Sequence, residues 1–222
     1  MSKPDWRNHE RRERERYEDG EARLPDVTDP DARQKQLTRM ANAAGGAGLA
    51  LLMQDQRDEA AEWFARTADR YRESFADAPP ESWGRPIGAI KARILAGDWA
   101  GAEDDARWAL EAGAAVSASP IGRYAAALAE LVLGGCGRAR VHADAIRTRE
   151  DFPAAVGDAL AFIAADDVLG YFGAVEAVLE SFETRDEYLE DIPVADTVLV
   201  LEALAVRRGF PPSELTSPLL PG

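Results

Sequence analysis

Four times along the chain a short turn is followed by a small residue in the same register, and this recurrence narrows the possible folds most. The turns are Asp55-Gln56-Arg57-Asp58, Gly97-Asp98-Trp99-Ala100-Gly101-Ala102, Gly134-Gly135-Cys136-Gly137-Arg138-Ala139 and, more weakly, Leu169-Gly170-Tyr171-Phe172-Gly173-Ala174. In each an apolar segment precedes the turn and an amphipathic one follows it. The register alanines Ala60, Ala102, Ala139 and Ala174 recur 42, 37 and 35 residues apart. Where two helices cross beside a turn, a small side chain lets their axes approach to about 8–10 Å. Repetition at this period marks a solenoid, in which each hairpin buries its apolar face on its neighbours. The expected fold is all-α: stacked helical hairpins in a right-handed superhelix of about nine or ten helices.

Composition and boundary signals agree. The 222 residues include 42 alanines, and alanine loses no side-chain entropy in a helix. Asp29-Pro30-Asp31 reads as a cap, a first-turn proline and a carboxylate at the positive end of the dipole. Leu37, Met40, Ala44, Ala47 and Leu51 then repeat at helical spacing. Gly45, Gly46 and Gly48 interrupt that stripe, as sites of close backbone approach or as a kink. Ala78-Pro79-Pro80 ends the first hairpin, and Ser119-Pro120 and Phe152-Pro153 open later helices. Hairpins are expected near 31–77, 82–113, 119–149 and 152–183, within one domain over 29–222. A buried helix over 193–208 and a tail follow, with Gly209 just past that helix.

Gly97-Asp98-Trp99-Ala100-Gly101-Ala102 resembles the Gly-Asp-aromatic-x-x-Ala turn of the tetratricopeptide repeat, and Asp55 to Ala60 with Phe64 matches more loosely. The resemblance spans roughly residues 37–182 and implies a protein-binding scaffold whose inner surface is lined by the first helix of each hairpin.

Charge restricts the partners. Forty acidic residues against 26 basic ones leave a net charge of −14, and only Lys3, Lys35 and Lys91 are lysines. An acidic, lysine-poor surface suits concentrated salt, where self-repulsion is screened, or reflects an alanine- and arginine-rich proteome. Nucleic acid and anionic membranes need clustered cations with little opposing charge and are not expected partners. A basic protein is. The densest arginine run, Arg11 to Arg16, is interleaved with glutamates within a charged N-terminal arm over residues 1–28. That arm is read either as a short solvated helix or as a segment that docks on a neighbouring chain through Trp6 and Tyr17, giving a homo-oligomer. A single cysteine, Cys136, fits a reducing compartment, and no apolar leader precedes the arm, so the expected location is cytoplasmic.

Catalytic readings are poorly supplied. His9 and His142 stand in no zinc-binding spacing, and one cysteine completes no metal set. Cys136 with His142 is a conceivable nucleophile pair, but a small residue in a tight turn is the simpler reading. Gly45-Gly46-Ala47-Gly48 follows no strand and so is not a phosphate loop. The pairs Asp104-Asp105, Asp166-Asp167 and Glu190-Asp191 read as solvated helix ends. No catalytic, cofactor-binding or metal-ligating residue is therefore assigned.

Binding residues are easier to nominate. Trp63, Trp99 and Trp108 read first as core, whereas Trp83 lies among Pro79, Pro80 and Pro86, where exposure as an anchor is expected. Counting back from the register alanines places Asn42, Leu49, Lys91, Tyr124, Leu128 and Ile163 on the inner face. That face is either a groove for a partner or ligand, or a wall filled by neighbouring helices or the C-terminal segment.

The stretch from about Phe172 to Gly222 resembles the C-terminal end of the immunity protein 49 family, all-helical antidotes to bacterial polymorphic toxins. It does so through Glu187-Tyr188, the apolar run Val198 to Ala205, Arg208-Gly209-Phe210-Pro211 and the closing Ser217-Pro218-Leu219-Leu220-Pro221. A histidine and a tryptophan that often flank the aromatic in that family are Arg185 and Leu189 here. The resemblance implies a non-enzymatic antidote that occludes a toxin's active site, and this chain's acidic charge would suit a basic toxin. The candidate partner-binding set is thus Asn42, Trp83, Lys91, Tyr124 and Tyr188. The competing readings are a small-ligand or enzymatic site in the inner groove around Lys91 and Tyr124, and an oligomeric scaffold built on the arm.

Overall fold

The computed structural model describes residues 4–222, so Lys3 and the first residues of the arm lie outside the described residues. Among the described residues there are ten α-helices and no strand. They are α1 (Trp6–Arg23), α2 (Pro30–Leu52), α3 (Arg57–Phe75), α4 (Gly84–Leu95) and α5 (Trp99–Glu111), then α6 (Pro120–Val132), α7 (Cys136–Arg147), α8 (Ala154–Ala165), α9 (Val168–Glu183) and α10 (Asp196–Arg208). Consecutive helices pack on one another from α1 to α9, so the chain is a stack of helical hairpins. No described helix is long and apolar enough to cross a membrane.

The four hairpin turns share one backbone device. Each places a residue in the left-handed region within three residues of the end of the first helix: Asp55 (φ 59°), Gly97 (72°), Gly134 (74°) and Asp166 (62°). The next amide then reaches back five residues, from Gln56 to Leu51 O (3.0 Å), Asp98 to Arg93 O (2.9 Å), Gly135 to Glu130 O (2.7 Å) and Asp167 to Phe162 O (3.0 Å). This is the glycine-favoured way of closing a helix, with aspartate substituting twice. Asp98 and Asp167 also cap the following helix, each accepting a backbone N–H at 2.9 Å.

Ala60, Ala102 and Ala139 each stand five residues after the left-handed residue and are fully buried. The fourth unit departs from the sequence reading. Its turn is Asp166-Asp167 rather than Leu169-Gly170, which belong to the first turn of α9. The register position is therefore Tyr171, which is fully buried, and Ala174 lies one helical turn further on. Gly170 is small for another reason: a Cβ there would sit 2.7 Å from the Phe162 ring.

The arm is α1, which packs along α2. Tyr17 meets the Trp63 ring edge-on at 5.4 Å, and Trp6 is buried with Ala50, Ile192 and Val194. Both aromatics are spent inside this chain, so they are not the exposed anchors read from the charged sequence around them. Glu13 is fully buried between them, pairing with Arg12 and Arg16 at 2.7 Å each. At the other end α10 lies against α4, α8 and α9, with Val198, Val200, Leu201 and Leu204 buried. The tail returns over it: Phe210 packs on Tyr171, and Leu219 O accepts the Ala195 amide at 2.9 Å.

Candidate functional site

The first helices of successive hairpins form the inner row. Along it α4 abuts α6 and α6 abuts α8. Leu128 and Ile163, read as inner-face residues, are buried there. Between α2 and α4 the row opens instead into a cavity of about 240 Å3. Its walls are Leu49 from α2, Phe64 from α3, and Ile87, Ala92 and Leu95 from α4. Its roof is the strap joining α9 to α10, which contributes Arg185, Tyr188, Leu189, Glu190, Ile192 and Val194.

Polar side chains meet at the edge of this cavity. The Tyr71 hydroxyl donates to Asn42 Oδ1 at 2.7 Å, and Asn42 Nδ2 donates to Glu190 Oε1 at 3.2 Å. Glu190 also pairs with Arg16, and Arg12 donates to its carbonyl, so α1 grips the strap from outside. Glu190 and Asp191 hold left-handed backbone at φ 56° and 55°, which aspartate tolerates but which is uncommon for a glutamate and is sustained there by its contacts. At the opposite edge Lys91 Nζ bonds Asp196 Oδ2 at 2.5 Å and Thr197 Oγ1 at 3.0 Å, tying α4 to the start of α10.

Burial works to depress the Lys91 ammonium, but the Asp196 carboxylate outweighs it and holds the pKa above the usual lysine value. Burial pushes both Tyr71 and Tyr124 up. All three therefore remain protonated through the physiological range, offering hydrogen-bond donors rather than bases.

Three of the five nominated residues, Asn42, Lys91 and Tyr188, line this one cavity. Two do not. Tyr124 packs its ring 5.5 Å from Phe152. Trp83 is only 6% exposed, with its indole N–H donating to Glu81 Oε2 at 2.8 Å, so it is a core residue and not the exposed anchor its proline-rich surroundings suggested. The sequence reading also missed Tyr71, Arg185, Glu190 and Asp196. Tyr71 carried one faint signal: Gly88, whose Cβ would fall 2.4 Å from the tyrosine ring.

Cys136 and His142 do not meet as a nucleophile and base. His142 Nδ1 faces Arg123 at 3.3 Å, and burial, then that guanidinium, lower its pKa. Cys136 opens α7 beside a separate hollow lined by Glu103, Arg107 and Arg207. Comparison of the chain with protein-family models, with curated proteins and with solved structures found no match.

Proposed function

We propose that this chain is a non-enzymatic helical-repeat protein that binds a basic protein partner in the cytoplasm, as an immunity-type antidote does when it covers a toxin. The observation that carries this reading is an acidic ledge along α9 and the strap. Glu176, Glu180 and Glu183 project from one exposed helix face at i, i+4 and i+7, and Asp186 and Glu187 extend the line. Among the described residues, none of these five carboxylates is in an ion pair.

At the end of the ledge the Tyr188 hydroxyl donates to Phe182 O at 2.6 Å, and Leu189 stands 68% exposed beside it. An apolar anchor rimmed by like charges suits a cationic surface. The charges raise the encounter rate and select the sign of the partner, while the anchor supplies desolvated contact. The tetratricopeptide-like turn at Gly97 to Ala102 and the antidote-like C-terminal stretch point the same way.

The test is affinity capture from the host, identification of what is retained, and titration calorimetry with the purified partner. The expected partner is cationic. Its affinity should fall at least tenfold when Glu176→Arg, Glu180→Arg and Glu187→Arg are combined, and should weaken as salt rises. A partner of neutral or acidic charge, or one indifferent to the triple reversal, refutes the reading.

A further inference from the structure

The cavity between α2 and α4 shares only Tyr188 and Leu189 of its roof with the protein-binding reading, and it has the build of a small-molecule site. A cavity of about 150 Å3 accepts benzene, so about 240 Å3 accommodates roughly ten non-hydrogen atoms. Apolar walls with a few converging polar groups are the usual composition of such sites.

The glycines argue that the space is kept open. In α2, Gly46 and Gly48 are compelled by neighbours, since added Cβ atoms would fall 2.9 Å from Glu13 and 2.7 Å from Phe64. Gly45 is not: its Cβ would meet only Thr67, at an ordinary 3.6 Å. Gly84, which also lines the cavity, would meet nothing within 4 Å. A glycine inside a helix costs about 0.5–1 kcal/mol relative to alanine. Packing gives no return for that cost at Gly45, whereas an unobstructed cavity does.

The polar edge specifies the ligand's chemistry. Lys91 has three N–H donors and spends two, on Asp196 and Thr197. Glu190 is matched by Arg16 and Lys91 by Asp196. That leaves Arg185, whose guanidinium lies 3.6 Å over the Phe182 ring and which is in no ion pair among the described residues. Its Nε donates to Ser181 O at 3.2 Å and its terminal N–H groups bond no acceptor among the described residues, so a cation in no ion pair and a spare lysine donor stand at the edge of an apolar chamber. We propose that this cavity binds a small organic monocarboxylate with a compact apolar body, the carboxylate held by Arg185 and the spare Lys91 donor and the body lying against Leu49, Phe64 and Ile87.

The full chain, titrated by calorimetry with phenylacetate, octanoate and uncharged 2-phenylethanol, tests this. At least one of the two acids should bind and raise the melting midpoint, and should bind at least tenfold more tightly than the alcohol. Arg185→Gln should erase that preference. Gly45→Leu fills the chamber and should abolish binding while leaving the helical circular dichroism unchanged, and Gly84→Leu repeats the test from the opposite wall should Gly45→Leu fail to fold. The proposal is overturned if neither acid binds, if the alcohol binds as well as the acids, or if a folded cavity-filling variant binds undiminished.

Discussion

The two ends of the stack close their inner surface in different ways. From α4 to α10 one continuous apolar core runs through the molecule, and α10 lies in the groove as a helix. The small inner residues Ala125, Ala126, Ala127 and Ala129 are fully buried there. At the α1–α3 end the core is a separate cluster, and the cover is an irregular strap held by Arg12, Arg16 and Asn42. A helix offers a whole apolar stripe every turn and fills a groove between other helices. An extended strap offers alternate side chains and polar backbone, so it bridges the edges and leaves a void. The filled end supplies stability and the bridged end leaves a cavity.

The same deletion made at both ends is the strongest way to break this comparison. Leu201→Ala in α10 removes a fully buried side chain from the continuous core and is expected to cost about 2–5 kcal/mol in chemical denaturation. Leu49→Ala, beside the cavity, removes a side chain already lacking neighbours on one side and should cost less than half as much. Equal losses would mean that the two ends are packed alike.

Next in size is Asp105, buried on α5 and contacted by Arg72 of α3 (2.6 Å) and Arg93 of α4 (3.5 Å). Asp105→Ala should cost about 1–3 kcal/mol, since it removes buried atoms and two polar contacts. Asp105→Asn should cost less, because burial raises the carboxyl pKa above its ordinary 3.8, so the charge is less favoured in the fold than in the unfolded chain. With a raised folded-state pKa, the wild type gains stability relative to Asp105→Asn as pH falls through that pKa towards 3.8, and loses it as pH rises. Urea midpoints of the pair between pH 7 and pH 4 check the sign.

What could be read beforehand follows the same division. Helices, caps and turns depend on near neighbours in the chain, so Asp29 and Ser119 act as the caps their positions before Pro30 and Pro120 suggested. The misplaced fourth turn shows the limit of that logic. Gly170 looked like the turn residue, but Asp166 takes the left-handed conformation, which aspartate tolerates and a search for glycine overlooks. The inner-face positions of Asn42 and Lys91 were legible from helical register. Their partners Glu190 and Asp196 lie 148 and 105 residues away, and no local pattern encodes that pairing. Trp83 and the arm were misjudged for a related reason. Prolines and charges around an aromatic describe its sequence neighbours, whereas its burial is decided by helices that come later in the chain.

The glycines of α2 provide a smaller test. Gly48→Ala forces the Phe64 ring to move and should cost about 1–3 kcal/mol, whereas Gly45→Ala meets no obstacle and should stabilise the helix by about 0.5–1 kcal/mol. Opposite signs from residues three apart, read as melting midpoints, would separate a glycine required by packing from one that keeps a space open. Two losses of similar size would make the cavity a by-product of tight packing.

The smallest expected global effect belongs to the strap. Glu190→Ala removes the pairing with Arg16 and the bond from Asn42, but Ile192 and Val194 stay buried and Arg12 still holds the backbone carbonyl. Because Arg16 is half exposed and keeps its pairing with Glu13, the loss of overall stability should stay below about 1 kcal/mol. The local effect is larger, since those side-chain contacts hold Glu190 and Asp191 in left-handed backbone. Amide exchange at residues 188–192 should quicken at least tenfold while the amides of α10 keep their protection. If α10 loosens together with the strap, the two covers form one cooperative unit and the cavity cannot open without unfolding the groove beside it.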